Sequence, residues 1–239
     1  MSPDKGVLVT GASDRIGKQI AIHFASIGYN VAVHYSTSGE KAERTRQDIL
    51  SKYDVQCEVF KADFLDKKET QNLISNVSSK FKINCLVNNA SIFYENRFLD
   101  KETSDLTRFF DVNFMAPYIL TKQFAEIAPE GSLIINLLDT KISKNDTRHF
   151  DYLLTKKFLS VFTKQVAMEL APGIRVNGIA PGIILPPKDK DVSYIEKLAE
   201  KTPMKKIGRT ENVLSSIDFL LNNHFVTGQI LFADGGDNL

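Results

Sequence analysis

The chain has 239 residues, 43% of them hydrophobic and 25% charged, with a formal net charge of +1. That length suits one α/β sheet with helices on both faces, and the composition is that of a globular chain, not a disordered one. A charge this close to zero gives no field to draw in nucleic acid or a membrane surface, and neither is expected as a partner.

Met1-Ser2-Pro3-Asp4-Lys5 runs straight into an apolar stretch and leaves no room for a secretory signal. Apolar runs such as Leu133 to Leu138 fall far short of the roughly 20 residues of a membrane span. Cys57 and Cys85 both fall inside predicted strands and read as buried, reduced thiols. A cytoplasmic protein is expected.

Strands are predicted over 6–10, 30–34, 55–60, 83–87, 132–136, 174–179 and 229–233, all rich in Val and Ile without polar alternation. Helical periodicity covers 15–27, 40–53, 67–80, 103–128, 152–170 and 211–222. Strict alternation of the two gives right-handed βαβ units and a doubly wound parallel sheet. The one long irregular stretch, 183–210, contains Pro186-Pro187-Lys188-Asp189-Lys190-Asp191 and then a short helix-like segment. It reads as a substrate lid or as a surface insertion. Acids interleave with the lysines of 188–206, so a solvated face is expected and not an anion patch.

The first strand enters Thr10-Gly11-Ala12-Ser13-Asp14-Arg15-Ile16-Gly17, a turn that aims backbone N–H groups and a helix N-terminus at a phosphate. Gly11 permits the tight turn and Gly17 permits close packing of helix on strand. The second strand ends His34-Tyr35-Ser36-Thr37-Ser38, with hydroxyls and no carboxylate before Glu40. Hydroxyls suit a ribose 2′-phosphate and favour NADPH; Glu40 reaching back to a 2′-OH is the competing arrangement. His34 either lines the cofactor pocket or serves as a satisfied structural histidine. Asp63, after the third strand, either accepts from the adenine amino group or caps a loop.

Tyr152 and Lys156 stand one helical turn apart on a shared face. A nearby ammonium stabilises phenolate, so Lys156 is expected to pull the Tyr152 pKa down toward neutrality. Tyr-x-x-x-Lys alone is a weak signal. Asn88-Asn89-Ala90 after the fourth strand, Asn113 in the next helix, Asn177, and Pro181-Gly182 after the sixth strand give it a context.

With the closing Phe225-Val226-Thr227-Gly228-Gln229 and Asp234-Gly235-Gly236, these motifs resemble the short-chain dehydrogenase/reductase family over essentially the whole chain. The resemblance implies a single-domain, seven-stranded Rossmann fold, a homotetramer, and a catalytic group of Asn113, Tyr152 and Lys156, to which Asp139 is added at the position of the family's Ser. It places the cofactor against Gly11, Arg15, Ile16, Gly17, His34, Tyr35, Ser36, Asp63 and Phe64, and also against Asn89, Ala90, Ser91, Tyr152, Lys156, Pro181 and Gly182. Two departures narrow the class. Most members carry Gly where this chain has Arg15, and Ser where it has Asp139. Both changes, with Asn89-Ala90-Ser91-Ile92-Phe93-Tyr94 and His34-Tyr35, resemble the pteridine and dihydromonapterin reductases. Thr37 departs from that subgroup, whose protozoan members place an Arg near the 2′-phosphate.

Chemistry favours the narrower class independently. Beside a ketone the family's Ser stabilises a developing alkoxide, whereas a carboxylate there would repel it. At 4 Å and an effective dielectric of 20, that repulsion costs about 4 kcal/mol, roughly a thousandfold in rate. A pterin ring offers N–H donors that Asp139 can accept, and its reduced nitrogen wants a proton. Arg15 would pair with pyrophosphate and the pterin carbonyl side, or with phosphate alone. Phe93 would cover the pterin face, or simply pack.

The expectation is NADPH-dependent reduction of a small-molecule 7,8-dihydropterin, with Arg15, Ser91, Phe93, Asp139 and Tyr152 around the substrate. Tyr152 and Asp139 handle the proton, and Asn113 holds a water or the helix bend that links Lys156 to solvent. A 3-oxoacyl-thioester or other ketone reductase of the same family is the alternative; a non-catalytic dinucleotide sensor is a third. His23, in the first helix, and His149 and His224, in surface segments, form no metal-ligand spacing, and no metal is expected. The helix that carries Tyr152 is apolar nearly all round, which calls for a second buried face and an oligomer.

Overall fold

In the computed structural model, residues 5–99, 104–187 and 190–239 are described. Met1 to Asp4, Thr103 at the expected start of the fourth helix, and Lys188 and Asp189 of the proline-rich run lie outside the described residues. The strands β1 (Gly6–Val9), β2 (Asn30–Tyr35), β3 (Cys57–Lys61), β4 (Cys85–Asn88), β5 (Ser132–Leu137), β6 (Ile174–Pro181) and β7 (Ile230–Ala233) form one sheet. Their order is β3-β2-β1-β4-β5-β6-β7, and every pairing is parallel. This is the doubly wound Rossmann arrangement that the alternating pattern predicts. The order reverses between β1 and β4, which opens a crevice at the carboxyl ends of the strands.

The helices are α1 (Arg15–Ser26), α2 (Gly39–Leu50), α3 (Lys67–Ser78), α4 (Ser104–Phe110), α5 (Ala116–Ile127), α6 (Phe150–Leu170), α7 (Val192–Ala199) and α8 (Thr210–Asn222). The two-residue period of β1 sorts its side chains between two cores. Val7 and Val9 pack with Ile20 and Phe24 of α1 and Ile217 of α8. Leu8 points the other way, to Leu73 of α3 and Leu120 and Phe124 of α5. Each such side chain, fully buried, contributes about 1.5–3 kcal/mol.

Two local features differ from expectation. The single helix expected over 103–128 is interrupted by a π-helical turn, Asp111–Met115, between α4 and α5. A 3₁₀ turn, Thr140–Ser143, follows β5. Within 183–210 the helix-like segment is α7, capped by Asp191, whose side chain accepts from the Tyr194 amide. Cys57 and Cys85 are buried and unbridged. No helix among the described residues is long and apolar enough to cross a membrane.

Candidate active site

Backbone geometry builds the turn after β1. Gly11 has φ +62°, and a Cβ on Gly17 would stand 2.2 Å from the Gly11 carbonyl oxygen, so α1 closes directly onto the turn. The Gly11 amide donates to His34 Nδ1 at 3.0 Å, and His34 Nε2 reaches the Ala62 carbonyl at 3.0 Å. These bonds make Nδ1 the acceptor and Nε2 the donor of a neutral ring. Burial pushes its pKa down to about 4. Phe64 stacks on this ring with centroids 4.4 Å apart. His34 and Phe64 therefore brace the turn from behind; both rings are buried, and His34 has no nitrogen left for a ligand, which corrects its expected place in the pocket lining.

The strand that follows the switch point locks the same turn. Asn89 Nδ2 donates to the carbonyls of Thr10 (2.8 Å) and Gly11 (3.1 Å). The amides of Asn89 and Ala90 both donate to Thr10 Oγ1. Thr10 opens the glycine-turn motif, but the sequence carries no signal for the role of its hydroxyl. Tyr35 and Ser36 are half-buried at the end of β2, and Thr37 is exposed beside them. Asp63 accepts from the Leu65 amide at 3.1 Å, a loop-capping role.

Arg15 opens α1 with φ +55°, a left-handed conformation that favours glycine and costs a side-chain-bearing residue about 1–2 kcal/mol. Its guanidinium is exposed and donates to the Pro186 carbonyl at 2.7 Å, joining the first turn to the start of the 183–210 segment. Asp14 caps α1 by accepting from the Arg15 amide at 2.8 Å. The first-turn amides of α1 have no acceptor within the helix. With the close approach at Gly17, this cradle fits a dinucleotide pyrophosphate.

Beyond β5, Asp139 caps the 3₁₀ turn through Oδ1, which accepts from the Lys141 amide at 2.8 Å. Its second oxygen, Oδ2, accepts from the Tyr152 hydroxyl at 2.8 Å. Lys156 is buried and donates to the Leu137 carbonyl at 2.8 Å; its Nζ lies 5.8 Å from the Tyr152 ring centroid. Burial holds the Lys156 pKa down at about 8, with Asp139 opposing the shift. The Tyr152 hydroxyl is pushed well above its ordinary value, first by burial and then by the Asp139 charge and hydrogen bond. This corrects the expected lowering by Lys156: the carboxylate, and not the ammonium, sits against the hydroxyl.

Asn113 occupies the middle of the π-helical turn. Its Oδ1 accepts from the Ile92 amide (2.9 Å) and Ser91 Oγ (3.2 Å), and its Nδ2 donates to the Ile92 carbonyl (3.1 Å) and Thr155 Oγ1 (3.2 Å). The helix bend is present, but these contacts fasten the loop after β4 to α6 and do not run to Lys156. That loop sets Phe93 edge-on to Tyr152, centroids 4.8 Å apart, and stacked on His149 at 4.4 Å. His149, expected at the surface, is only 6% exposed, because the Asn96 amide and carbonyl bond the backbone on either side of it. No group of three or more His, Cys, Asp or Glu among the described residues could hold a metal ion.

Pro181 ends β6 and Gly182 follows it, at the same carboxyl end of the sheet as the turn after β1, the loop after β4 and the Asp139 turn. A profile of the enoyl-(acyl carrier protein) reductase family matches residues 11–238. The 3-oxoacyl-[acyl-carrier-protein] reductase FabG of Staphylococcus epidermidis is 31% identical over 98% of both chains. FolM alternative dihydrofolate reductase 1 of Brucella canis, solved with NADP, superposes with a TM-score of 0.94 and 31% identity, covering 100% of this chain and 95% of that one. A short-chain dehydrogenase of Burkholderia cenocepacia, also solved with NADP, gives 0.92 and 27% identity, covering 100% of this chain and 99% of that one. The chain belongs to the short-chain dehydrogenase/reductase family and is a nicotinamide-dependent reductase of that family.

Proposed function

We propose that this enzyme uses NADPH to reduce a 7,8-dihydropterin to the tetrahydropterin. The observation that carries the reading is the 2.8 Å bond from the Tyr152 hydroxyl to Asp139 Oδ2. A site for ketones needs a neutral donor where Asp139 stands, because charge develops on oxygen; a ring C=N needs an acceptor for its neighbouring N–H groups and a proton for its nitrogen. When bound, NADPH supplies the hydride that adds to the ring carbon.

Asp139 keeps Tyr152 in its phenol form before substrate arrives. A pterin N–H that occupies Oδ2 frees the Tyr152 hydroxyl to give its proton to the reduced nitrogen, and the ammonium of Lys156 then faces the phenolate left behind. Phe93, 44% exposed with one face covered by His149, provides an aromatic wall for the flat ring. Arg15 contributes the fork shared between the pyrophosphate and the pterin carbonyl side. The likeness to the Brucella FolM structure supports both the pterin class and NADPH. Residues 183–187 and 190–210 form the lid in this reading.

The identity to the staphylococcal 3-oxoacyl reductase favours a second reading, reduction of a 3-oxoacyl thioester. NADPH oxidation by the purified protein, with a 7,8-dihydropterin beside an acetoacetyl thioester, separates the two. Selective turnover of the dihydropterin is expected; turnover of the thioester alone would replace this reading with the second. Phe158 of α6 is 51% exposed, and with Phe114 and Tyr118 it forms an apolar face that we assign to a homotetramer contact. Gel filtration well above 26.8 kDa is expected.

A further inference from the structure

We propose that Asp234 is a positioning residue, which acts through Thr140 to hold the turn from which Asp139 meets Tyr152. The inference rests on the reading of Asp139 as a group that contacts substrate, and it concerns a part of the chain far from the catalytic residues in sequence.

Asp139 reaches the crevice from a four-residue 3₁₀ turn, which is too short to hold its own geometry. Three contacts fix that turn from outside. The Leu138 amide donates to the Ile179 carbonyl at 2.7 Å and sets where β5 ends. The Thr140 hydroxyl, on a buried residue, donates to Asp234 Oδ2. At the far end of the turn, Lys144 Nζ pairs with Asp237 at 2.9 Å. Two of these three restraints come from the last six residues of the chain.

The tail is itself tied down by hydrogen bonds. Asp234 accepts from the Gly236 amide through Oδ1 and from the Asn238 amide through Oδ2, each at 2.9 Å. A Cβ on Gly182 would lie 2.6 Å from Asp234 Cα, so β6 exits directly against it. The Met204 amide donates to the Gly235 carbonyl at 3.1 Å and ties the 183–210 segment to the same tail. An ionised carboxylate accepting a buried hydroxyl makes one of the stronger hydrogen bonds available. Asp234 thus bridges the Asp139 turn, the end of β6 and the segment beyond it.

The test pairs Thr140→Val, which keeps the shape and loses the hydroxyl, with Thr140→Ser, which keeps the hydroxyl; Asp234→Ala is the third variant. One readout is amide hydrogen exchange at Lys141 and Ile142, whose N–H groups bond Asp139 Oδ1 and the Asp139 carbonyl. The other is kcat against the NADPH dissociation constant, with whichever of the dihydropterin and the thioester the wild type turns over. Thr140→Val and Asp234→Ala are expected to speed exchange and lower kcat, each about tenfold, the loss of one charge-assisted hydrogen bond. NADPH affinity stays within about twofold, Thr140→Ser restores both readouts, and the double variant is no worse than either single one.

Unchanged exchange in Thr140→Val overturns the proposal, as does a fall in kcat matched by an equal loss of NADPH affinity. Because exchange is read without substrate, a failure of the pterin assignment leaves this result standing on its own.

Discussion

Two aspartates begin helical turns at the crevice. Asp14 follows β1 and Asp139 follows β5; each caps its turn with one carboxylate oxygen accepting a backbone amide at 2.8 Å. They differ in what the second oxygen does. Asp14 spends it on Lys41 at 2.6 Å, a half-exposed surface pair. Asp139 spends it on the hydroxyl of a buried tyrosine. The cap explains why an aspartate is tolerated at either position, and only the second partner explains what one of them is for. Capping chemistry is available to Ser, Thr, Asn and Asp alike, so the cap alone does not call for Asp after β5; in the proposed function the substrate does.

The contrast can be sharpened by removing the second partner. Tyr152→Phe leaves Asp139 as a cap alone and deletes the proposed proton donor; kcat should fall about a thousandfold, with NADPH binding by fluorescence titration unchanged. Retained turnover would mean that another group delivers the proton.

The cofactor side has its own buried titratable group, and its effect is on stability. His34 has a pKa of about 4 in the fold against an ordinary 6.5, so the unfolded chain binds the extra proton between those values. Its contribution is fully present above pH 6.5 and is lost as pH falls toward 4, about 3 kcal/mol in all. Urea unfolding between pH 7 and 4 should show that slope, and His34→Asn should flatten it.

Arg15 divides stability from function. Arg15→Gly relieves a left-handed backbone, with a gain of about 1 kcal/mol in unfolding free energy, while KM for the dihydropterin rises about tenfold. A variant that is less stable, or equally active, would break this assignment. The smallest effect belongs to the other aspartate: Asp14→Ala should cost about 1 kcal/mol as a lost cap and leave the dihydropterin-to-thioester preference unchanged in parallel assays.

Much of this was legible in the sequence because it is local or periodic. The Val-rich strands, the glycine turn, and the Tyr152–Lys156 spacing each carry a signal within a few residues. What the sequence did not disclose depends on register or on distant partners. Asn88 and Asn136 are opposite each other in β4 and β5, and their side chains bond at 2.8 Å, a pairing set by strand register alone. The π-helical turn that sets Asn113 has no compositional mark in an otherwise helical pattern. His149 falls in a segment expected at the surface, because its cover, Phe93 and Asn96, comes from a loop more than fifty positions earlier. The direction of the Tyr152 shift turned on which neighbour takes its hydroxyl, and Tyr-x-x-x-Lys spacing is silent on that.

The most direct test is the substrate preference of Asp139→Ser, measured as kcat/KM for a 7,8-dihydropterin divided by kcat/KM for an acetoacetyl thioester. The carboxylate's role predicts a fall in that ratio of about a hundredfold, through loss of pterin turnover and gain of thioester turnover. A ratio equal to that of the wild type would show that Asp139 is a cap like Asp14 and that substrate choice resides elsewhere.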